Sequence, residues 1–341
     1  MIKILANDGV SKSAIEALEE KGFEVITEKV NQEDLISTIN SENYEVLLVR
    51  SATTARKELI DACPNLKIIG RGGVGMDNID VEYAKEKGIE VYNTPAASSD
   101  SVAELVFSHL FGMVRFLYES NRQMPLEGDT NFNDLKKAFA AGKELAGKTL
   151  GIIGFGRIGQ AVAKRAIGLG MNVIAHDRFT KEANITLNFF NGDKKTFTIE
   201  TISLEEVLQN SDFITLHIPK TGEKALIGAK EIGLMKTGSG IINTSRGGVV
   251  DEDALMFALD KGKLEYAGLD VFLNEPNPSI HLLMHNSISL TPHIGAATNE
   301  AQDRIGIELA DKIKDAINLR LEELEGFGGV EGVYFTSFVL Q

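Results

Sequence analysis

The chain has 341 residues, 43% hydrophobic and 25% charged, the balance of a globular protein long enough to bury two separate cores. Its 49 acidic and 35 basic residues leave a net charge of −14, which excludes nucleic acid or an anionic membrane as the main partner, since both need a basic surface. A lone cysteine, Cys63, precludes an internal disulfide, no stretch reaches the apolar length of a membrane span, and "MIKILANDGV" opens as a strand rather than a leader, so a cytoplasmic protein is expected.

Short runs of Val, Ile and Leu then alternate with helical patterns. Residues 2–8 (IKILAND), 24–28 (EVITE), 44–51 (YEVLLVRS), 66–72 (LKIIGRG) and 89–95 (IEVYNTP) read as strands of a parallel sheet covered by helices on both faces. Cys63 reads as a small apolar residue in one of the helices between them. Within 101–117, Val102, Leu105, Val106, Leu110, Met113, Val114 and Leu117 recur at helical spacing and Phe107 and Phe111 make the other side apolar. That helix is expected to be buried on most faces, with His109 as a packing residue.

A second series starts at 148–156 (KTLGIIGFG) and continues through 172–177, 212–219, 239–247, 266–272 and 287–293. The fold class is therefore α/β with two doubly wound parallel sheets. Residues 185–199 look like a hairpin inserted into the second unit. A two-residue Asn-Gly turn would split its apolar residues between two faces, whereas a loop at 191–193 pairs Leu187 with Phe197 and Ile185 with Ile199.

The pattern G-x-G-x-x-G occurs at Gly70, Gly72 and Gly75 and again at Gly154, Gly156 and Gly159. Only the second copy follows a strand, runs into a helix and is answered roughly 20 residues on by an acid, Asp177, which accepts hydrogen bonds from ribose hydroxyls and repels a 2′-phosphate. NAD is the expected cofactor, with the neighbouring Arg178 as the feature that would tolerate NADP. The first copy, where Asn93 takes the place of the acid, reads as a loop of backbone N–H groups that with Arg71 suits an anion.

Three residues at strand ends of the second series form a chemical set: Arg246 in "NTSRGGVVDEDAL", Glu275 in "GLDVFLNEP" and His293 in "LTPHIGAAT". Oxidation of a secondary alcohol removes a proton as well as a hydride, and His293 suits the proton. Glu275 can hold one imidazole nitrogen and stabilise the charged ring, and Arg246 offers a fixed fork to a carboxylate. His176, His281 and His285 show no metal-ligand spacing, so no metal is expected.

In these motifs and in "GFGRIGQ", the chain resembles the D-2-hydroxyacid dehydrogenase family over about residues 1–318. The resemblance implies that Arg246, Glu275 and His293 are the catalytic trio. It also implies that a Rossmann-type NAD domain (99–292) is inserted into a flavodoxin-like substrate domain (1–98 plus 293–341), and that two copies form a homodimer through the NAD domains. Expected cofactor contacts are Gly154, Gly156, Arg157, Ile158, Gly159, Asp177, His217, Pro219, Thr244, Ser245, Asp270 and Gly295, with His217 in a structural hydrogen bond.

Within the family, 49–54 (VRSATT), 70–89 and 93–105 are most similar to the D-3-phosphoglycerate dehydrogenase branch. That likeness implies a small, phosphorylated 2-hydroxy acid met by Arg50, Ser51, Arg71, Val74 and Gly75, and an acidic chain needs such local arginines to bind an anion. Only 319–341 follow the last expected helix, at 298–318, so serine feedback through a C-terminal regulatory domain is not expected; the apolar "GVYFTSFVLQ" is suited to a strand or to packing. A hydroxypyruvate or glyoxylate reductase, another D-2-hydroxyacid dehydrogenase, and a dimeric NAD-sensing scaffold are the alternatives.

Overall fold

The computed structural model describes residues 2–325, with the side chains of the last helix described as far as Ile317. Five strands make the first sheet: β1 (Lys3–Ala6), β2 (Glu24–Ile26), β3 (Val46–Val49), β4 (Ile68–Arg71) and β5 (Glu90–Asn93). All neighbours are parallel, in the order β2-β1-β3-β4-β5, the flavodoxin-like arrangement. Alternate residues feed opposite faces. Ile4, Val46, Leu48 and Ile68 pack with Ala310 and Ile313 of the last helix, while Leu5, Leu47, Val49 and Ile69 pack with Leu35, Leu59 and Ile60. Burial on both faces is why these strands read as unbroken apolar runs.

The second sheet contains β6 (Thr149–Ile153), β7 (Asn172–His176), then, after the hairpin strands β8 (Glu182–Asn188) and β9 (Lys194–Glu200), β10 (Phe213–Leu216), β11 (Ser239–Asn243), β12 (Leu264–Leu269) and β13 (Ile288–Leu290). Its order is β13-β12-β11-β10-β6-β7, again all parallel. Strand order reverses between β1 and β3 in the first sheet and between β6 and β10 in the second. Ligand crevices in doubly wound sheets form at the carboxyl ends of such strands. Asn7, Asp8, Arg50 and Ser51 occupy that place in one unit, and the Gly154–Gly159 turn and His217 in the other.

Contacts divide the chain after Ser98 and after Gly295. The expected second boundary, between 292 and 293, lies three residues early. Ile294 and Gly295 donate their N–H groups to Asp270 of the second unit, which keeps the His293 segment there.

The hairpin also differs from expectation. Its three-residue loop is 190–192 rather than 191–193, because Phe189 N donates to Asp193 O at 2.8 Å and Gly192 has φ +88. A three-residue loop ends on a left-handed residue after a type I turn, and glycine takes that place without strain. Ile185 therefore faces Phe197, Ala183 faces Ile199, and Leu187 faces Lys195. Parity is unchanged, so Ile185 still reaches the core.

The helix expected over 101–117 runs from Ser99 to Val114 and stops where Phe116 turns left-handed (φ 54) before a second helix, Leu117–Glu127. Its Phe107 is buried, whereas Phe111 is exposed. Cys63 lies just beyond the helix Lys57–Ala62, fully buried, with burial pushing its thiol up to about 11. The last helix, Asn299–Glu325, outruns the expected 298–318 because "LRLEELE" consists of strong helix formers. The segment "GVYFTSFVLQ" lies outside the described residues.

Gly306 of this last helix lies against Ala14 of the helix Lys12–Glu19, where an added Cβ would stand 2.1 Å from the alanine Cβ. Gly306→Val is expected to destabilise the first unit by about 1–3 kcal/mol through overpacking, read as a lower urea midpoint with faster amide exchange in Lys12–Glu19. An unchanged midpoint would mean the two helices can part freely.

Candidate active site

The turn after β6 is shaped for close approach. Gly154 has φ +96, and a Cβ there would lie 2.4 Å from the His217 carbonyl oxygen; one at Gly159 would lie 2.2 Å from the Gly154 oxygen. Gly156 has open space around its Cβ position, and Arg157 and Ile158 open the helix Arg157–Gly168, whose first N–H groups have no intrahelical acceptor. A cavity of about 340 Å³ is bordered by Gly154, Gly156, Asp177, Arg178, His217, Pro219 and Gly248 among others.

Asp177 serves the turn as well as the cavity. Its Oδ2 accepts from Phe155 N at 2.7 Å, and its Oδ1 accepts from Phe179 N and Thr180 N. Burial pushes this carboxyl up, but the three N–H donors and the nearby His176 outweigh it and hold the group below its usual range. His217 Nε2 pairs with Thr215 Oγ1 at 3.0 Å, the structural bond expected of it, and burial pushes the ring down to about 3, so it is neutral. His217 Nδ1 and Thr244 Oγ1 are buried and without a hydrogen-bond partner among the described residues. Buried polar atoms seek partners, so two such atoms among the expected cofactor contacts, with a glycine turn at Gly154–Gly159 that leads into a helix N-terminus, fit a bound dinucleotide.

The structure joins His293 to Glu275, two of the three residues expected to form the chemical set. His293 Nδ1 lies 2.7 Å from Glu275 Oε2, and Glu275 Oε1 accepts from Phe272 N at 2.9 Å, so the carboxylate is fixed at both oxygens. His293 itself is left-handed at φ 55, in the turn after β13. Both residues border an apolar cavity of about 410 Å³ with Phe272, Leu283 and Leu290. Arg246 follows β11 in a turn built by Asn243, whose Oδ1 accepts from Ser245 N and Oγ and whose Nδ2 donates to Arg246 O. Gly247 lies so close to the Phe272 carbonyl that a Cβ would stand 1.8 Å from its oxygen. The Arg246 turn thus adjoins the segment that carries Glu275.

Asp270, expected among the cofactor contacts, fastens the loop that carries His293: it accepts from Thr291 Oγ1 at 2.6 Å and from Ile294 N and Gly295 N, each at 2.8 Å. Burial raises its carboxyl above the usual value, and these donors pull against that rise. Asn243, Glu252 (which accepts from Leu273 N at 2.6 Å) and His109 also shape the site and were not singled out for it in the sequence. An Asn at a strand end before Thr-Ser-Arg is the one visible cue, as the start of an Asx turn.

In the first unit, Arg50 follows β3 in a loop fastened by Asp8, which accepts from Arg50 N, Thr53 N and Thr53 Oγ1, and by Asn78, which donates to Arg50 O and Thr53 O. Arg50, Ser51 and Lys29 border one cavity of about 400 Å³. The first glycine motif is not an open row of donors. Gly70 is inside β4, Gly72 N bonds to Val49 O, and Gly73 N bonds to Thr94 Oγ1, so Val74 and Gly75 are the positions left for a ligand. Arg71 Nη1 folds back on the Gly72 carbonyl.

Comparison with known proteins agrees with this geometry. Residues 107–295 match the model of the "D-isomer specific 2-hydroxyacid dehydrogenase, NAD binding domain" family. The chain is similar to a hydroxypyruvate reductase of Thermotoga maritima, 43% identical over 91% of this chain and 97% of that one. It is also similar to a D-3-phosphoglycerate dehydrogenase of Methanocaldococcus jannaschii, 41% identical over 95% of this chain but only 59% of the longer relative. Among solved structures, a D-lactate dehydrogenase of Aquifex aeolicus complexed with NAD and lactic acid superposes with a TM-score of 0.69 at 30% identity, covering 96% and 98% of the two chains.

Gly159→Ala places a Cβ against a backbone oxygen that cannot yield. It is expected to raise the NADH dissociation constant at least about tenfold by calorimetry with the circular dichroism spectrum unchanged. Undiminished affinity would show that the cofactor lies elsewhere.

Proposed function

The chain belongs to the D-isomer specific 2-hydroxyacid dehydrogenases and is an NAD-dependent oxidoreductase, and from that premise we propose that it oxidises D-3-phosphoglycerate to 3-phosphohydroxypyruvate, the first step of serine biosynthesis, in the cytoplasm. The observation that carries the chemistry is the 2.7 Å bond between His293 Nδ1 and Glu275 Oε2. With Nδ1–H donated to the carboxylate, Nε2 is the atom that exchanges a proton with the substrate oxygen. It takes the hydroxyl proton in oxidation and returns it to the carbonyl oxygen in reduction, while Glu275 stabilises the imidazolium. The nicotinamide, when bound, accepts or supplies the hydride.

Arg246 presents a fixed guanidinium to the substrate carboxylate and to the charge that grows on the carbonyl oxygen. Arg50, Ser51, Arg71, Val74 and Gly75 are assigned to the anionic ends of the substrate. Arg50 and Lys29 border one cavity with a single carboxylate, Asp8, whose oxygens already accept from Arg50 N, Thr53 N and Thr53 Oγ1, and this excess of positive charge in a chain of net charge −14 supports a phosphate there. A hydroxypyruvate reductase is the second reading, favoured by the likeness along nearly the full length of the Thermotoga maritima enzyme. Phe111, Leu117, Leu126 and Phe132, exposed on three consecutive helices of the second unit, are assigned to a homodimer face.

Three measurements follow. NADH oxidation with 3-phosphohydroxypyruvate, hydroxypyruvate and glyoxylate is expected to favour the phosphorylated acid by at least about a hundredfold in kcat/KM, a difference of roughly 2.7 kcal/mol. Equal or better use of hydroxypyruvate would replace the phosphate assignment by the reductase reading. Glu275→Gln removes the charge that stabilises the imidazolium, so reductive turnover should fall about 10- to 1,000-fold and be lost at lower pH than in the unmutated enzyme; an unmoved pH profile contradicts the role. Light scattering should give twice the 37.1 kDa chain mass, and Leu117→Glu should give single chains.

A further inference from the structure

We infer that His109, a buried residue of the helix Ser99–Val114, is a positioning residue for the proton transfer, acting on His293 through Thr291 and Asp270; this rests on His293 being the acid/base group. His109 Nε2 lies 3.0 Å from Thr291 Oγ1 and its Nδ1 lies 2.8 Å from Ser289 Oγ, so the imidazole spans the two hydroxyls that bracket the end of β13. Thr291 has one hydroxyl proton, and the Asp270 carboxylate takes it at 2.6 Å. Its oxygen must therefore accept from His109, which makes the ring the Nε2–H tautomer with Nδ1 accepting from Ser289. Burial pushes the ring down to about 4, which keeps it neutral and the tautomer fixed.

Asp270 passes this order onward, because the same carboxylate holds Ile294 N and Gly295 N on the far side of His293. The helix grips the segment a second time through Ser101 Oγ, which donates to Gly295 O at 2.7 Å. Space for the imidazole is reserved by Gly268 of β12, where a Cβ would lie 3.0 Å from the His109 Cβ. A histidine that only filled space would need neither the paired hydroxyls nor the missing side chain at 268. The left-handed His293 sits between anchored residues on both sides; the anchors meet at Asp270, and the neutral imidazole of His109 joins them through Thr291.

The experiment compares Thr291→Val, His109→Leu and His109→Gln in reduction of the best 2-keto acid at saturating NADH, with the NADH dissociation constant and thermal midpoint measured on the same preparations. Glutamine keeps a donor where Nε2 stands. Thr291→Val and His109→Leu are expected to lower kcat about 10- to 100-fold, with NADH affinity within about twofold, because a displaced acid costs rate rather than cofactor binding. His109→Gln should recover at least about a third of kcat, and Thr291→Val with His109→Leu should be no slower than the slower single variant, as expected of residues in one chain of bonds. Full activity in Thr291→Val and His109→Leu, or a His109→Gln enzyme as slow as His109→Leu, would overturn the inference. His293→Gln separates the two levels. If it is inactive while His109→Leu turns over normally, the positioning role alone falls; if it stays active, the acid/base assignment falls with it.

Discussion

A left-handed histidine is the constraint around which the second unit is arranged. His293 at φ 55 costs roughly 1–2 kcal/mol relative to ordinary backbone, and such a conformation persists only where the surroundings over-determine it. Asp270 does so from inside the protein, with three donors from residues 291, 294 and 295 on one carboxylate. Hydrogen bonds to an ionised group are about twice as strong as neutral ones, enough to offset the strain. The turn aims the imidazole at Glu275, which is itself held by Phe272 N.

The two sheets follow one logic with different outcomes. Both place their loops at the reversal of strand order, between β1 and β3 in one and between β6 and β10 in the other. In the first unit a carboxylate and an amide, Asp8 and Asn78, shape the loop that carries Arg50. In the second, Asp177 ties back the turn that a pyrophosphate would approach. Acidic side chains therefore organise backbone N–H groups in both places.

Elements that depend on local pattern were legible in the sequence. The strands of both sheets stand where the Val and Ile runs lie, and the second glycine motif was distinguished from the first by the helix that follows it and by Asp177. What escaped depends on tertiary contacts or on a single φ angle. Gly192 shifts the hairpin register by two residues without changing which face is apolar, so alternation alone could not detect it. The Ser99–Val114 helix ends early because Phe116 turns left-handed, although the apolar period runs on to Leu117. His109 read as packing because helical spacing reports only that a position is buried; its partners, Ser289 in β13 and Thr291 just after it, are some 180 residues away. The loop-fastening role of Asp270 was hidden for the same reason, since its donors come from residues 291, 294 and 295.

The central claim is that His293 is fixed through Nδ1 and exchanges its proton through Nε2. Long-range proton–nitrogen NMR of the protein labelled at histidine nitrogen tests it directly, with His293→Gln to assign the signal. The account predicts that Nδ1 of His293 stays protonated across the titration while Nε2 gains and loses the proton, and that Glu275→Gln frees the ring to mix tautomers. A neutral His293 protonated at Nε2, or a tautomer indifferent to Glu275, would contradict it.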